Sequence, residues 1–160
     1  MINNQEFTEK LRSAGLRPTQ QRLIICQLLF DRNETFHFTI DDISKIIKKT
    51  KNKKISLATI YNTVNSLQNK GHIKKIFTNS DKKYYDTNTS SHHHFIDETT
   101  NEIIDLKPSD VGSIKIKKKL SKKKIKSIEV IIKIKDWFRS SLFSLKNLYI
   151  RNILNYWHII

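Results

Sequence analysis

Residues 56–71, SLATIYNTVNSLQNKG, constrain this chain more than any other stretch. Ser56 suits an N-cap, because its hydroxyl can accept from a free backbone N–H of the first turn. Gly71 suits the position just past a helix, because glycine takes the left-handed conformation without steric cost. Between them Leu57, Ile60, Val64 and Leu67 recur at spacings of three and four, which predicts a helix with one apolar stripe. The other side carries Ala58, Thr59, Tyr61, Asn62 and Asn65, with no acidic residue. A solvated helix face usually mixes both charges. Short polar groups and one aromatic suit base edges and phosphates instead. Lys51, Lys53, Lys54, Lys70, Lys74 and Lys75 flank the stretch. The same pattern also describes an ordinary amphipathic core helix with a bland outer side.

The chain has 160 residues and a net charge of +15, from 30 basic and 15 acidic side chains. That excess favours an anionic partner, most simply nucleic acid. Lys, Ile and Asn are used heavily throughout, as AT-rich coding also produces, so the lysine count alone does not establish such a partner. Cys26 is the single cysteine, which excludes an internal disulfide and a cysteine-based zinc site and fits a reducing cytoplasm. The opening residues MINNQEFTEK lack an apolar signal core. No run of eighteen apolar residues indicates a membrane span. A glycine-rich phosphate loop, GxSxG and HExxH are all missing, so the expectation is that the chain is not an enzyme.

In chain order, 3–14 reads as a helix burying Phe7, Leu11 and Ala14 and ended by Gly15. Thr19 opens a second helix, whose inner side is expected to hold Leu23, Ile24, Cys26, Leu29 and Phe30. Residues 31–38 read as a connection containing His37. Thr39 caps a third helix, with Asp41 and Asp42 at its positive end and Ile40, Ile43, Ile46 and Ile47 buried. The 56–71 helix follows, then HIKKIF and KKYYDT as two strands around TNSD. Helix, helix, reading helix and hairpin is the order of a winged helix-turn-helix. Arg17, before the second helix, could reach an adjacent minor groove, though spacing alone favours a solvated turn residue.

Composition shifts near Thr87. HHHFID and NEIIDL predict two strands around ETTN. From Lys115 to Lys135 there are ten lysines and one acid, Glu129. Within that segment Ile128, Val130, Ile132 and Ile134 alternate along the chain, predicting a strand with one buried face. So few strands bury little by themselves, and pairing with a second copy would cover them. The expected fold class is α+β: an N-terminal winged helix-turn-helix over 1–86, then a small α/β dimerisation and sensing domain over 87–135. Residues 136–160 form an apolar extension, read either as an amphipathic helix docking on the dimer or on a membrane surface, or as an extension without a selected role.

His92, His93 and His94 are the sharpest chemical signal. On an extended chain His92 and His94 point to one side and His93 to the other. Such a pair can converge on one metal, or one imidazole can ligate haem iron. Carboxylates stand nearby at Asp86, Asp97, Glu98, Glu102 and Asp105. A mixed imidazole–carboxylate set suits Fe²⁺, Mn²⁺ or Zn²⁺. A solvated polar patch at a domain junction is the plainer alternative.

The blocks AGLRPTQQR, HFTIDDI, SLATIYNTVNSLQNKGHIKKI, KKYYDTNTSSHHHF and NEIIDL together resemble the ferric uptake regulator family, and within it the iron response regulator branch of alphaproteobacteria. The resemblance is dense from Phe7 to Leu106 and weaker to Lys135. It implies an iron-responsive, DNA-binding transcriptional regulator, a repressor or activator of iron and haem metabolism genes. It implies a homodimer on double-stranded, AT-rich operator DNA. It implies DNA contacts at Arg17, Thr59, Tyr61 and Asn62, and a divalent metal site of His37, Asp86, His92, His94 and Asp105. It also implies haem binding at His92, His93 and His94. Asp stands at both carboxylate positions where many relatives have Glu. The cysteine pair that holds structural zinc in many relatives is missing, and Cys26 is followed by Gln27, not by the proline of a haem-regulatory pair. The rival is a metal- or haem-binding protein without specific DNA binding.

Overall fold

Two left-handed glycines and two side-chain caps delimit the helices of the first part of the chain. The structure, a computed structural model, describes residues 4–49, 54–78, 81–118, 121–122 and 124–135. Lys51, Lys53 and the extension 136–160 lie outside the described residues. The chain divides into two units, Met1–Ser90 and Ser91–Ile160.

In the first unit, α1 (Asn4–Ser13) ends at Gly15, whose φ is 74°. There Leu16 N–H donates to Leu11 O and Gly15 N–H to Arg12 O, satisfying carbonyls that the helix end leaves open. Helix α2 (Gln20–Phe30) starts after Thr19, which sits at the N-cap without a side-chain capping bond. Its buried residues are Ile25, Cys26 and Leu29. The expectation of Ile24 is displaced by one position, because Leu23–Cys26 is a continuous apolar run in which the single later polar residue, Gln27, does not by itself set the phase. Burial pushes the Cys26 thiol up to about 12, so it remains an inert core group.

Strand β1 (His37–Phe38) lies within the stretch expected to be a plain connection. Two residues are too few for alternation to show. Helix α3 (Ile40–Lys49) opens with a reciprocal cap: Asp42 N–H donates to Thr39 Oγ1, and Thr39 N–H donates to Asp42 Oδ2. Helix α4 (Leu57–Lys70) has Ser56 accepting from Thr59 N–H and ends at Gly71, φ 86°. Strands β2 (Lys74–Ile76) and β3 (Tyr84–Asp86) form the expected hairpin. With β1 they make an antiparallel sheet in the order β1-β3-β2, with His37 opposite Asp86. Ile60, Val64 and Leu67 of α4 pack into a core with Phe7, Leu11, Ile25, Leu29, Ile43, Ile47 and Tyr85.

In the second unit, β4 (His93–Asp97) is central, antiparallel to β5 (Ile103–Leu106) and parallel to β6 (Ile131–Ile134). The ETTN turn closes because Asp97 Oδ1 accepts from the N–H groups of Thr99 and Thr100 while Asn101 takes a φ of 61°. Those bonds hold the Asp97 carboxyl below the usual range. The strand expected over Ile128–Ile134 is present over its last four residues, but among the described residues its apolar side is only partly covered, with Val130 and Ile132 half-buried. Ile128 and Ile134 remain 36% and 38% exposed, and Ile104 of β5 is 45% exposed.

Two outcomes follow. Gly71→Ala should lower stability by about 1–2 kcal/mol, the cost of a Cβ in the left-handed region, as read by urea denaturation. His72, whose Nε2 lies 2.6 Å from Ser13 Oγ, has its pKa held below 6.5 by burial and by the charges of Lys10 and Lys70. Its unfolded form therefore binds the proton more readily. The contribution of neutral His72 is complete above about pH 6.5 and is lost as pH falls from there through the lower folded value. His72→Gln should flatten that part of the stability–pH curve relative to the wild type.

Candidate DNA-reading surface and metal centre

Helix α4 turns its outer side to solvent. Ala58, Tyr61 and Asn62 are exposed, Tyr61 by 43%. Thr59 and Asn65 are half-buried, and the Thr59 hydroxyl stands 2.9 Å from that of Ser56, bracing the helix start. Leu57, expected in the buried stripe, is instead 54% exposed. It is the first helical residue, a turn beyond the position where α4 meets its neighbours. Thr63 takes the inner place. It is fully buried because its hydroxyl donates to Thr59 O at 2.7 Å, which satisfies the polar atom inside the helix. Leu57 is thus a surface residue that periodicity assigned to the core.

Around this helix, Gln21 Nε2 donates to Lys54 O, tying the first turn of α2 to the segment leading into α4. Arg17 is exposed in the turn before α2, and Arg22 Nη1 donates to its carbonyl at 3.0 Å, fixing that turn. On the hairpin Lys82 and Lys83 are exposed and Lys74 and Lys75 half-buried.

The predicted ligands are set by strand register. In the first unit, β1 and β3 place His37 directly across from Asp86, with Nε2 and Oδ2 3.7 Å apart. Asp86 is fully buried, and its Oδ1 accepts from Asn88 N–H at 2.7 Å. In the second unit, His94 and Asp105 are direct cross-strand partners. His92, two residues before His94, brings its Nε2 to 2.9 Å from His94 Nε2. Asp105 Oδ1 is 3.5 Å from His92 Nε2 and 3.8 Å from His94 Nε2. His93 points elsewhere: its Nδ1 accepts from Val130 N–H at 3.2 Å.

These separations can be tested against a shared ion. Two ligands about 2.1 Å from one cation at a tetrahedral angle stand about 3.4 Å apart. The His92–His94–Asp105 triangle brackets that value, and its nitrogen and carboxylate donors match borderline divalent metals. The residues fit a metal ion. Glu129, mentioned by the sequence only as the acid in a lysine-rich run, joins the same cluster, with Oε1 3.4 Å from His94 Nδ1.

The ferric uptake regulator family model matches residues 13–135. The chain belongs to the ferric uptake regulator family. It is 34% identical over 102 residues to the peroxide-responsive repressor PerR of Staphylococcus epidermidis, spanning 64% of this chain and 66% of that protein. It is 30% identical over 110 residues to the ferric uptake regulation protein of Haemophilus ducreyi, spanning 68% and 73%. Among solved structures, the ferric uptake regulator of Pseudomonas aeruginosa with manganese superposes with a TM-score of 0.60 at 19% identity, covering 86% of this chain and 99% of that one. The Vibrio cholerae regulator gives 0.61 at 17%, covering 81% and 98%. These likenesses carry the α+β fold. Family members are transcriptional regulators and not enzymes, as expected for this chain.

Asp105→Asn keeps the side-chain shape and removes its charge. It should weaken Mn²⁺ binding by at least about tenfold in calorimetry, the lower end for disturbing a metal site. Unchanged affinity with an unchanged circular dichroism spectrum would place the ion elsewhere.

Proposed function

We propose that this chain is a cytoplasmic, homodimeric, iron-responsive repressor that binds AT-rich double-stranded DNA through the first unit and senses divalent metal through its histidine–aspartate set. The observation that carries the reading is the outer side of α4: acid-free, exposed, and bearing Leu57, Ala58, Tyr61 and Asn62 together. Leu57, Ala58 and Tyr61 offer apolar contact to thymine methyls, and Asn62 has the donor–acceptor pair that matches adenine N6 and N7. Thr59 braces the helix start, whose free N–H groups favour a phosphate. Arg17, Lys74, Lys75, Lys82 and Lys83 supply further phosphate contacts.

His37 and Asp86 of the first unit, with His92, His94 and Asp105 of the second, would hold one ion. The resemblance implies this set, and the short stretch 87–91 between Asp86 and His92 supports it. A bound divalent ion, Fe²⁺, Mn²⁺ or Zn²⁺, supplies charge that neutralises both carboxylates. The protein's own part is to present imidazole nitrogens and carboxylates from both units, so that ligation favours one orientation of the pair. The apolar side of β5–β4–β6, with Ile104 and Ile134 uncovered, supports pairing with a second copy.

The iron response regulator branch adds haem as a signal at His92, His93 and His94. The three rings are 4%, 6% and 0% exposed, which favours a small ion over a porphyrin in this conformation. The relatives named as peroxide-responsive repressors bring peroxide forward as the competing signal for the same site. Release of operator DNA on chelation, on haem addition or on peroxide addition distinguishes the three.

The rival, a metal-binding protein with an incidentally basic surface, is separated by base chemistry. Replacing operator thymines by deoxyuridine removes only methyl groups. Wild type should lose about fourfold in affinity per contacted methyl, from about 0.8 kcal/mol of apolar burial each. Leu57→Ala and Tyr61→Ala should lose part of that preference while keeping their fold. A wild-type protein indifferent to the methyls would remove α4 as the reading element.

A further inference from the structure

Glu129 is the single acid among ten lysines between Lys115 and Lys135. It is held beside β4 by the sheet. β6 runs parallel to β4 with Ile131 opposite His94, and His94 N–H donates to Val130 O at 3.0 Å. Glu129 lies two residues before Ile131, and therefore on the same side of its strand. Its carboxylate reaches the His94 ring, with Oε1 3.4 Å from Nδ1. That ring is fully buried. Its other nitrogen, Nε2, faces His92 at 2.9 Å and Asp105 at 3.8 Å. One imidazole thus spans two carboxylates, one at each nitrogen.

We propose that Glu129 is a positioning residue for His94: its carboxylate, 3.4 Å from Nδ1 and just beyond hydrogen-bond length, favours the tautomer with the proton kept on Nδ1, and so leaves the lone pair on Nε2, aimed at His92 and Asp105. The proposal rests on the reading of His94 as a metal ligand. A neutral imidazole carries one proton on either nitrogen, and what its far nitrogen binds decides which one. An outer carboxylate of this kind also fixes the ring plane and raises ligand basicity. Asp105 cannot play this part, because it faces the ligating nitrogen.

A consequence follows for His92. If His94 Nε2 is an acceptor, the 2.9 Å contact requires His92 Nε2 to donate. His94 is therefore preset for ligation in the metal-free protein, whereas His92 must shift its proton to Nδ1 or to solvent before its Nε2 can ligate. The two histidines are unequal before any ion arrives.

The test uses the full chain as wild type, Glu129→Ala and Glu129→Gln, with imidazole ¹⁵N NMR on the metal-free protein and Co²⁺ titration followed by absorption. In the wild type, His94 should carry its proton on Nδ1 and His92 on Nε2. Glu129→Ala should give a mixed His94 tautomer and about 10- to 100-fold weaker Co²⁺ binding. Glu129→Gln keeps an acceptor oxygen and should recover part of that loss. A wild-type His94 protonated on Nε2 overturns the proposal, whether or not the Ala variant folds. So does a Glu129→Ala protein that is less stable but unchanged in tautomer. Failure of the wild type to bind Co²⁺ removes the metal reading, while the metal-free tautomers still decide what Glu129 does.

Discussion

Burial of Ile60, Thr63, Val64 and Leu67 is the constraint on which the first unit depends. Those four positions hold α4 against α1, α2 and α3 and leave Leu57, Ala58, Tyr61 and Asn62 on its other side exposed. Thr63 shows how tightly the inner side is filled, since a hydroxyl is accepted there only by returning its proton to the carbonyl one turn back. The N-cap at Ser56 and the left-handed Gly71 then set the helix length, so that Leu57, Ala58, Tyr61 and Asn62 emerge as one surface. A reading surface of this kind is rigid because its orientation is decided in the core, not by its own contacts.

Strand register does for the candidate metal ligands what core packing does for α4. Both aspartates of the set lie directly across a ladder from a histidine: Asp86 from His37, and Asp105 from His94. Cross-strand partners on one face have Cβ atoms about 4.5–5.5 Å apart, close enough for their side chains to meet. A slip of one residue in either ladder would turn the carboxylate to the opposite face, away from its histidine. The hairpin turn built on Asp97 and Asn101 pins one of these registers, which gives the residues far from the ligands a share in placing them.

The parts legible in the sequence were those set by local chemistry. Ser56 and Gly71 bound α4, Thr39 with Asp42 opens α3, and His92 and His94 face one way while His93 faces another; each depends on residues within a few positions. The rest required the third dimension. Ile24 and Ile25 could not be told apart inside an unbroken apolar run. Leu57 matches the stripe by spacing, yet spacing does not say where a helix runs past the core it packs on. His37–Phe38 is a strand only because β3 lies beside it. Glu129 stood out as an acid among lysines, but its pairing with His94 depends on a parallel ladder joining segments far apart in the chain.

On the proposed reading, the charge pattern and the candidate metal ligands serve one kind of control. A surface this basic attracts DNA without selecting sequence, so on the proposed reading the affinity that distinguishes an operator would come from α4 and from how two copies of it are spaced. Ligation by residues of both units, as proposed, would act on the second quantity and not the first. An ion that favours one orientation by a few kcal/mol changes operator affinity by the corresponding factor, while the nonspecific attraction of the lysines stays nearly as it was. By the same linkage, operator DNA must tighten metal binding by that factor. A regulator built this way would respond to metal through specificity more than through contact with DNA as such, which is consistent with candidate ligands that lie on strands and not on α4.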